Sequence, residues 1–188
     1  MASEPPIVVL DACVLYPFHL RNILVQVAAE GLIEARWTDE IHDEWMRNLA
    51  GVVPIERLSI TRRLMEVALP DAAISGYQRH IDHVELPDAG DRHVVAAGIE
   101  SGATVIVTWN VADFPAGELA KFGLRCQNPD DFLVDLHDRA RNLLLRSLAN
   151  ARANLSRTQL SPAGFLDAMT AQRLTRLVER VVRRVDRL

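Results

Sequence analysis

Apolar residues follow two rhythms along this chain, and the alternation between them predicts the architecture. Ile7-Val8-Val9-Leu10 is short, β-branched and uninterrupted, as in a strand covered on both faces, and it stops at Asp11. From Pro17 to Ala29 the spacing of Leu20, Ile23, Leu24 and Val27 is helical, with Gly31 beyond it as a stop. Residues 33–37 read as a second strand, and Thr38, followed by Asp39 and Glu40, opens a helix through Leu49. A further helix runs from Pro54 to about Leu69, where Pro70 breaks it, and a loop or short strand continues to Leu86. Asp91 stands at the start of a helix through Ser101, Gly102 ends that helix, and residues 104–108 (TVIVT) are the clearest β-branched run in the chain. A short strand at residues 124–127 leads into a helix with Asn128 as cap and Pro129 at its first position.

Strands alternating with helices predict an α/β fold, a parallel sheet between two helical layers, with ligands bound beyond the carboxyl ends of the strands. Asp11 and Asn110 both fall there. After residue 137 the rhythm changes, because no strand candidate remains. From Ser161-Pro162 onward, Leu166, Met169, Leu174, Leu177, Val178, Val181, Val185 and Leu188 form one apolar stripe, and Arg173, Arg176, Arg180, Arg184 and Arg187 take the opposite face. The expected organisation is therefore a core domain over 1–137 and an arginine-rich helical extension over 138–188.

Composition narrows the function classes. With 188 residues, 49% hydrophobic and 24% charged, the chain suits one medium domain plus an appendage, and disorder or a disulfide-stapled miniprotein is excluded. No run approaches the roughly 18 apolar residues of a membrane helix, and the start lacks the basic and apolar regions of a signal peptide, so a cytoplasmic location is expected. Cys13 and Cys126 stand far apart without a CxxC pair, which favours free thiols over a disulfide or a zinc site. Lys121 is the only lysine, which leaves lysine-based catalysis almost no candidate. The net charge of -4 hides an asymmetry: residues 139–188 carry +8 and the remainder -12. Charge alone leaves two readings open, an acidic front holding a metal beside a phosphate-contacting tail, or one domain with a solvated amphipathic helix against it.

Asp11, Glu44, Asp91 and Asp113 occupy positions where such a fold lets distant segments meet. Taken singly, Asp91 and Asp113 suit helix caps and Glu44 a solvated face. Asp11 is different, since it directly follows four apolar residues of a buried strand. Two carboxylates about 4 Å apart repel by roughly 4 kcal/mol at an effective dielectric near 20, so a cluster requires protons, arginines or a bound cation. Oxygen donors select hard ions, which points to Mg2+ or Mn2+ and to metal-assisted phosphodiester hydrolysis. Asn110 and Thr108 could add neutral oxygens, their ordinary role being loop geometry. Asp88, three residues before Asp91, reads as a turn former.

The segments IVVLDACVLYP, TDEIHDEWMRNL, LPDAGDRHVVAAGIESGA and TVIVTWNVADFP, in this order and strand context over residues 5–137, resemble the PIN-domain nucleases, in particular VapC-type toxins of bacterial toxin–antitoxin pairs. The resemblance implies a PIN-like three-layer α/β/α fold. It also implies a magnesium-dependent endoribonuclease, with Mn2+ able to substitute, that cuts structured RNA and is restrained by a cognate antitoxin. Asp11 and Asp91 would then be the metal ligands, Glu44 and Asp113 would complete the pocket, and Asn110, Thr108 and Asp88 are secondary candidates. The chain departs from the family pattern at Cys13, where a hydroxyl or amide is usual, and at Asn110, where a carboxylate is usual. Arg92 is expected to pair with nearby acids and His93 to face away from the site. A catalytically silent interaction module is the alternative. Phosphoryl transfer through Asp11 fares worse, lacking a second acid at position 13 and a choice of lysines. The tail is expected to pack on the core, on the antitoxin or on a second copy in a homodimer, in preference to contacting RNA phosphates.

Overall fold

The computed structural model describes residues 4–155 and 158–188. Its centre is a parallel sheet of β1 (Ile7–Leu10), β2 (Glu34–Arg36), β3 (Val105–Val107) and β4 (Arg125–Gln127) in the order β2-β1-β3-β4. Val8 lies beside Ala35 of β2 and Val105 of β3, so β1 is an inner strand and Val8, Val9 and Leu10 are fully buried. That is why its apolar run does not alternate. The helices α1 (Ala12–Leu15), α2 (Phe18–Ala29), α3 (Asp39–Leu49), α4 (Ile55–Ala68), α5 (Arg92–Ser101) and α6 (Ala116–Ala120) fill the connections, as the α/β reading requires. The chain leaves β1 for β2 on one side and later adds β3 on the other, and this switch of direction opens a crevice beyond the carboxyl ends of β1 and β3.

Local chemistry fixes most boundaries where the sequence placed them. The Thr38 hydroxyl accepts the Ile41 amide at 3.2 Å, Asn128 Oδ1 accepts the Asp131 amide at 2.9 Å, and Gly102 ends α5 with φ of +66°. Asp91 departs from expectation, because its side chain caps nothing. Asp88 does the turn shaping instead, its Oδ1 accepting the Gly90 amide at 2.7 Å. The stretch between Pro70 and Leu86 also differs, containing a 3-10 helix over Tyr77–His83 that packs against α5.

The C-terminal part is helical, with a different division from the expected single stripe. Helix α7 (Pro129–Ala153) runs through the 137/138 position and loses helical geometry at Ala140 (φ −141°, ψ 49°). Then come α8 (Pro162–Ala171), α9 (Thr175–Val181) and a 3-10 segment, Val182–Arg187. Arg173, with φ of +65°, turns the chain between α8 and α9. Most of the stripe still faces inward, since Leu166, Met169, Leu174, Leu177, Val181 and Leu188 are buried, whereas Val178 and Val185 are only half-buried. The extension packs on the core through α2: Glu30, just past its end, accepts bonds from Asn150 at 2.7 Å, Ser147 at 3.0 Å and Arg146 at 3.1 Å. Among the described residues no helix is long and apolar enough to cross a membrane, and both cysteines are free.

Candidate metal centre

β1 and β3 are hydrogen-bonded neighbours, so the residues that follow them, Asp11 and Thr108, meet at the mouth of the crevice. The Asp11 amide continues the ladder to Val107 O at 3.2 Å, which sets its side chain at the sheet's edge with only 5% of its surface exposed. Oδ1 accepts the Ala12 amide at 2.7 Å, and Oδ2 accepts the Thr108 hydroxyl at 2.6 Å and the Cys13 thiol at 3.1 Å. The loop after β3 is held to the same group, because Thr108 Oγ1 accepts the Asn110 amide at 3.0 Å and Cys13 Sγ accepts the Trp109 amide at 3.2 Å. Thr108 is fully buried and its oxygen is committed to this network, so it positions Asp11 through a short charge-assisted bond. Burial, with the Asp11 charge beside it, pushes the Cys13 thiol up to about 12. The thiol therefore stays a donor to Asp11, a duty the sequence reading had not given it.

The other acids come from separate segments. Asp91 ends a short 3-10 turn, Ala89–Asp91, and begins α5 with its carboxylate half-buried. Burial, then the negative charges of Asp11, Asp88 and Asp113, push its pKa up to about 6. Glu44 on α3 is raised by burial, then by Asp11 and Asp91, against a lowering influence from Arg47. Asp113 is partly exposed at the end of the 3-10 turn Val111–Asp113 and is not a helix cap, and Asn110 before it is exposed. Asp11, Glu44, Asp91 and Asp113 thus share one electrostatic neighbourhood. Among the described residues, however, no group of three or more His, Cys, Asp or Glu side chains is arranged to hold an ion as it stands.

Two expectations next to Asp91 are corrected. His93 points inward, buried between α5 and α3, with Nε2 3.8 Å from Glu44 Oε2 and Nδ1 3.8 Å from Glu40 Oε2. Those distances are too long for hydrogen bonds, and burial lowers the His93 pKa against the pull of Glu40 and Asp11. Arg92 makes no ion pair among the described residues, and its Nε is buried without a partner. The direction of His93 depends on how α5 approaches α3, which no local pattern encodes.

The raised pKa of Asp91 has a measurable consequence. Folded protein keeps this proton to higher pH than the unfolded chain, so stability falls as pH rises from the ordinary aspartate range to about 6 and then levels. So large a displacement is equivalent to about 3 kcal/mol, which solvent around a half-exposed group reduces to roughly 1 kcal/mol. Asp91→Asn is expected to raise the Tm of the ion-free protein at pH 7 and to flatten its pH dependence between about 4 and 6. Calorimetry in chelator checks this, and an unchanged pH profile contradicts the crowding of charge at Asp91.

A parallel α/β sheet with a buried aspartate at its switch point, carrying a helical extension, is the class that the fold defines. Residues 129–183 match the family described as the VapC50 C-terminal domain, a match that begins at the first residue of α7. Over 85 residues the chain is 34% identical to "Putative ribonuclease VapC50" of Mycobacterium tuberculosis (strain ATCC 25618 / H37Rv), an alignment covering 44% of this chain and 48% of that protein. The matched stretch thus spans about half the length of that relative. No solved structure matches the chain. The C-terminal part of the chain is thus similar to that family, and a stretch of 85 residues is similar to that protein.

Proposed function

We propose that this chain is a metal-dependent endoribonuclease and the toxin of a type II toxin–antitoxin pair, using Mg2+ with Mn2+ as a substitute. The observation that carries the reading is the shared neighbourhood of Asp11, Glu44, Asp91 and Asp113, in which the influences on Asp91 are burial and three negative charges, all of one sign. Hard oxygen donors crowded in this way fit a divalent cation held by one or two carboxylates. Asp11 and Asp91 would hold it, Asp11 being fixed by Ala12, Thr108 and Cys13, and Asp91 keeping its carboxylate clear of any cap. Bound there, the ion would neutralise charge growing on the scissile phosphodiester and orient water for in-line attack. Glu44, whose pKa is raised by burial and its acidic neighbours, would be suited to take a proton from that water, and Asp113, in the loop after β3, would add its negative charge beside Asp91. Asp88 and Asn110 shape the rim.

RNA as substrate and an antitoxin as partner are supported by the name of the relative and the family of the C-terminal match. Exposed apolar side chains on α4, Ile60, Leu64 and Val67, with Phe18 beside them, leave surface for an antitoxin or for a second copy in a homodimer. Metal removal tests the reading: EDTA is expected to stop cleavage of a labelled structured RNA, and excess Mg2+ to restore it. Cleavage indifferent to EDTA would remove the ion from the account, and no cleavage with either ion would remove the nuclease.

A further inference from the structure

The C-terminal arginines fall into two groups. Some are neutralised or tied down: Arg146 by Glu30, Arg176 by Asp131, and Arg152 by the Leu160 carbonyl. Others gather around an open cavity of about 600 Å³ between α7 and the last turns of the chain, lined by Arg141, Arg180, Arg183, Arg184 and Arg187. Glu179 and Asp186 also line it, which leaves an excess of three arginines over carboxylates. Arg180 reaches Asp138 at 3.4 Å and Arg187 reaches only the Asn142 amide oxygen, also at 3.4 Å. Among the described residues Arg141, Arg183 and Arg184 have no ion-pair partner. Like charges brought together around one cavity require a counter-charge, by the same argument that applies to the acids.

Guanidinium groups in this number match phosphate oxygens, which they bind through paired N–H donors. A lone phosphate would engage one or two of the five, whereas a polyphosphodiester presents an anion at every nucleotide. The placement also connects to the acids. On α9, Arg176 and Arg180 lie one helical turn apart, and Arg173 before it stacks 4.3 Å over the Trp109 ring, next in sequence to the Thr108 that holds Asp11. We propose that this arginine cavity is a second binding site, taking the phosphate backbone of the RNA substrate away from the bond that is cut. It rests on the nuclease reading for the identity of the strand. Under this proposal the apolar stripe of the extension packs inward while its unpaired arginines are left for the nucleic acid, so packing and phosphate contact are compatible roles of the tail.

The test is binding of a fluorescein-labelled hairpin RNA by the full chain in EDTA, followed by anisotropy over a salt series. The Arg183→Gln/Arg184→Gln double variant is expected to bind more weakly and to show a salt slope shallower by about 1.5, the loss of two phosphate contacts. Its Tm should match the wild type, since both side chains are exposed. Inorganic polyphosphate, a phosphate chain without bases, should displace the hairpin from the wild type. An unaltered affinity and slope in the double variant would overturn the proposal, as would polyphosphate that fails to compete. Chelation separates the two readings. Wild-type binding that depends on these arginines, with no cutting once Mg2+ is added, retains the cavity and removes the nuclease. Cutting with an unchanged salt slope does the reverse.

Discussion

Asp11→Asn is expected to lower kcat/KM for RNA cleavage by roughly a thousandfold or more while leaving the fold intact. The substitution preserves shape, and an amide oxygen can still accept the Ala12 amide that Oδ1 holds at 2.7 Å. It removes the negative charge at the one position clamped by three donors from α1 and the loop after β3. A divalent ion contributes several kcal/mol to stabilising a phosphodiester transition state, and about 4 kcal/mol corresponds to roughly a thousandfold in rate. Steady-state cleavage in Mn2+, with circular dichroism melting as the check on folding, gives the answer. Equal rates in variant and wild type would dismiss Asp11 from the chemistry.

The second large effect concerns the attachment of the extension. Helix α9 starts at Thr175, and Leu174 before it offers no side-chain cap. Its first turn is satisfied by Asp130, a buried carboxylate near the start of α7 whose oxygens each accept one backbone amide at 2.9 Å, from Arg176 and Leu177. This cap comes from another helix, and a carboxylate there also meets the positive end of the helix dipole. Asp130→Ala leaves two shielded amides without partners, at a cost of about 2–4 kcal/mol. For a chain of this size the Tm should fall by roughly 5–15 °C. Asp130→Asn, whose side chain offers a single acceptor oxygen, should lose about half of that. Scanning calorimetry measures both. A Tm unchanged by Asp130→Ala would show that α9 is held by its apolar stripe alone.

These cases mark how far the sequence could be read. The uninterrupted run ending at Asp11, the Thr38 and Asn128 caps, Gly102 and the β-branched strand of residues 105–107 are local signals, and the fold class followed from their alternation. Asp11, Asp91 and Asp113 could be picked out because each lies at the edge of such an element, whereas Glu44 lies inside α3. What holds them was not legible: Thr108 reaches Asp11 across 97 positions, and the Cys13 thiol acts where a hydroxyl was expected. His93 was misread because its direction depends on the seating of α5 on α3, and the stripe was not divided because a positive φ at Arg173 has no sequence mark. Asp130, 46 and 47 positions from the two amides it caps, belongs with these.

The claim on which the account depends is that carboxylates from separate segments hold one divalent ion. Titration of Mn2+ into the purified chain, with free ion read by electron paramagnetic resonance, tests it without reference to any RNA. The account predicts saturable binding by the wild type that is lost in both Asp11→Asn and Asp91→Asn, each variant folded by circular dichroism. Binding of Mn2+ by both variants with wild-type affinity would contradict it.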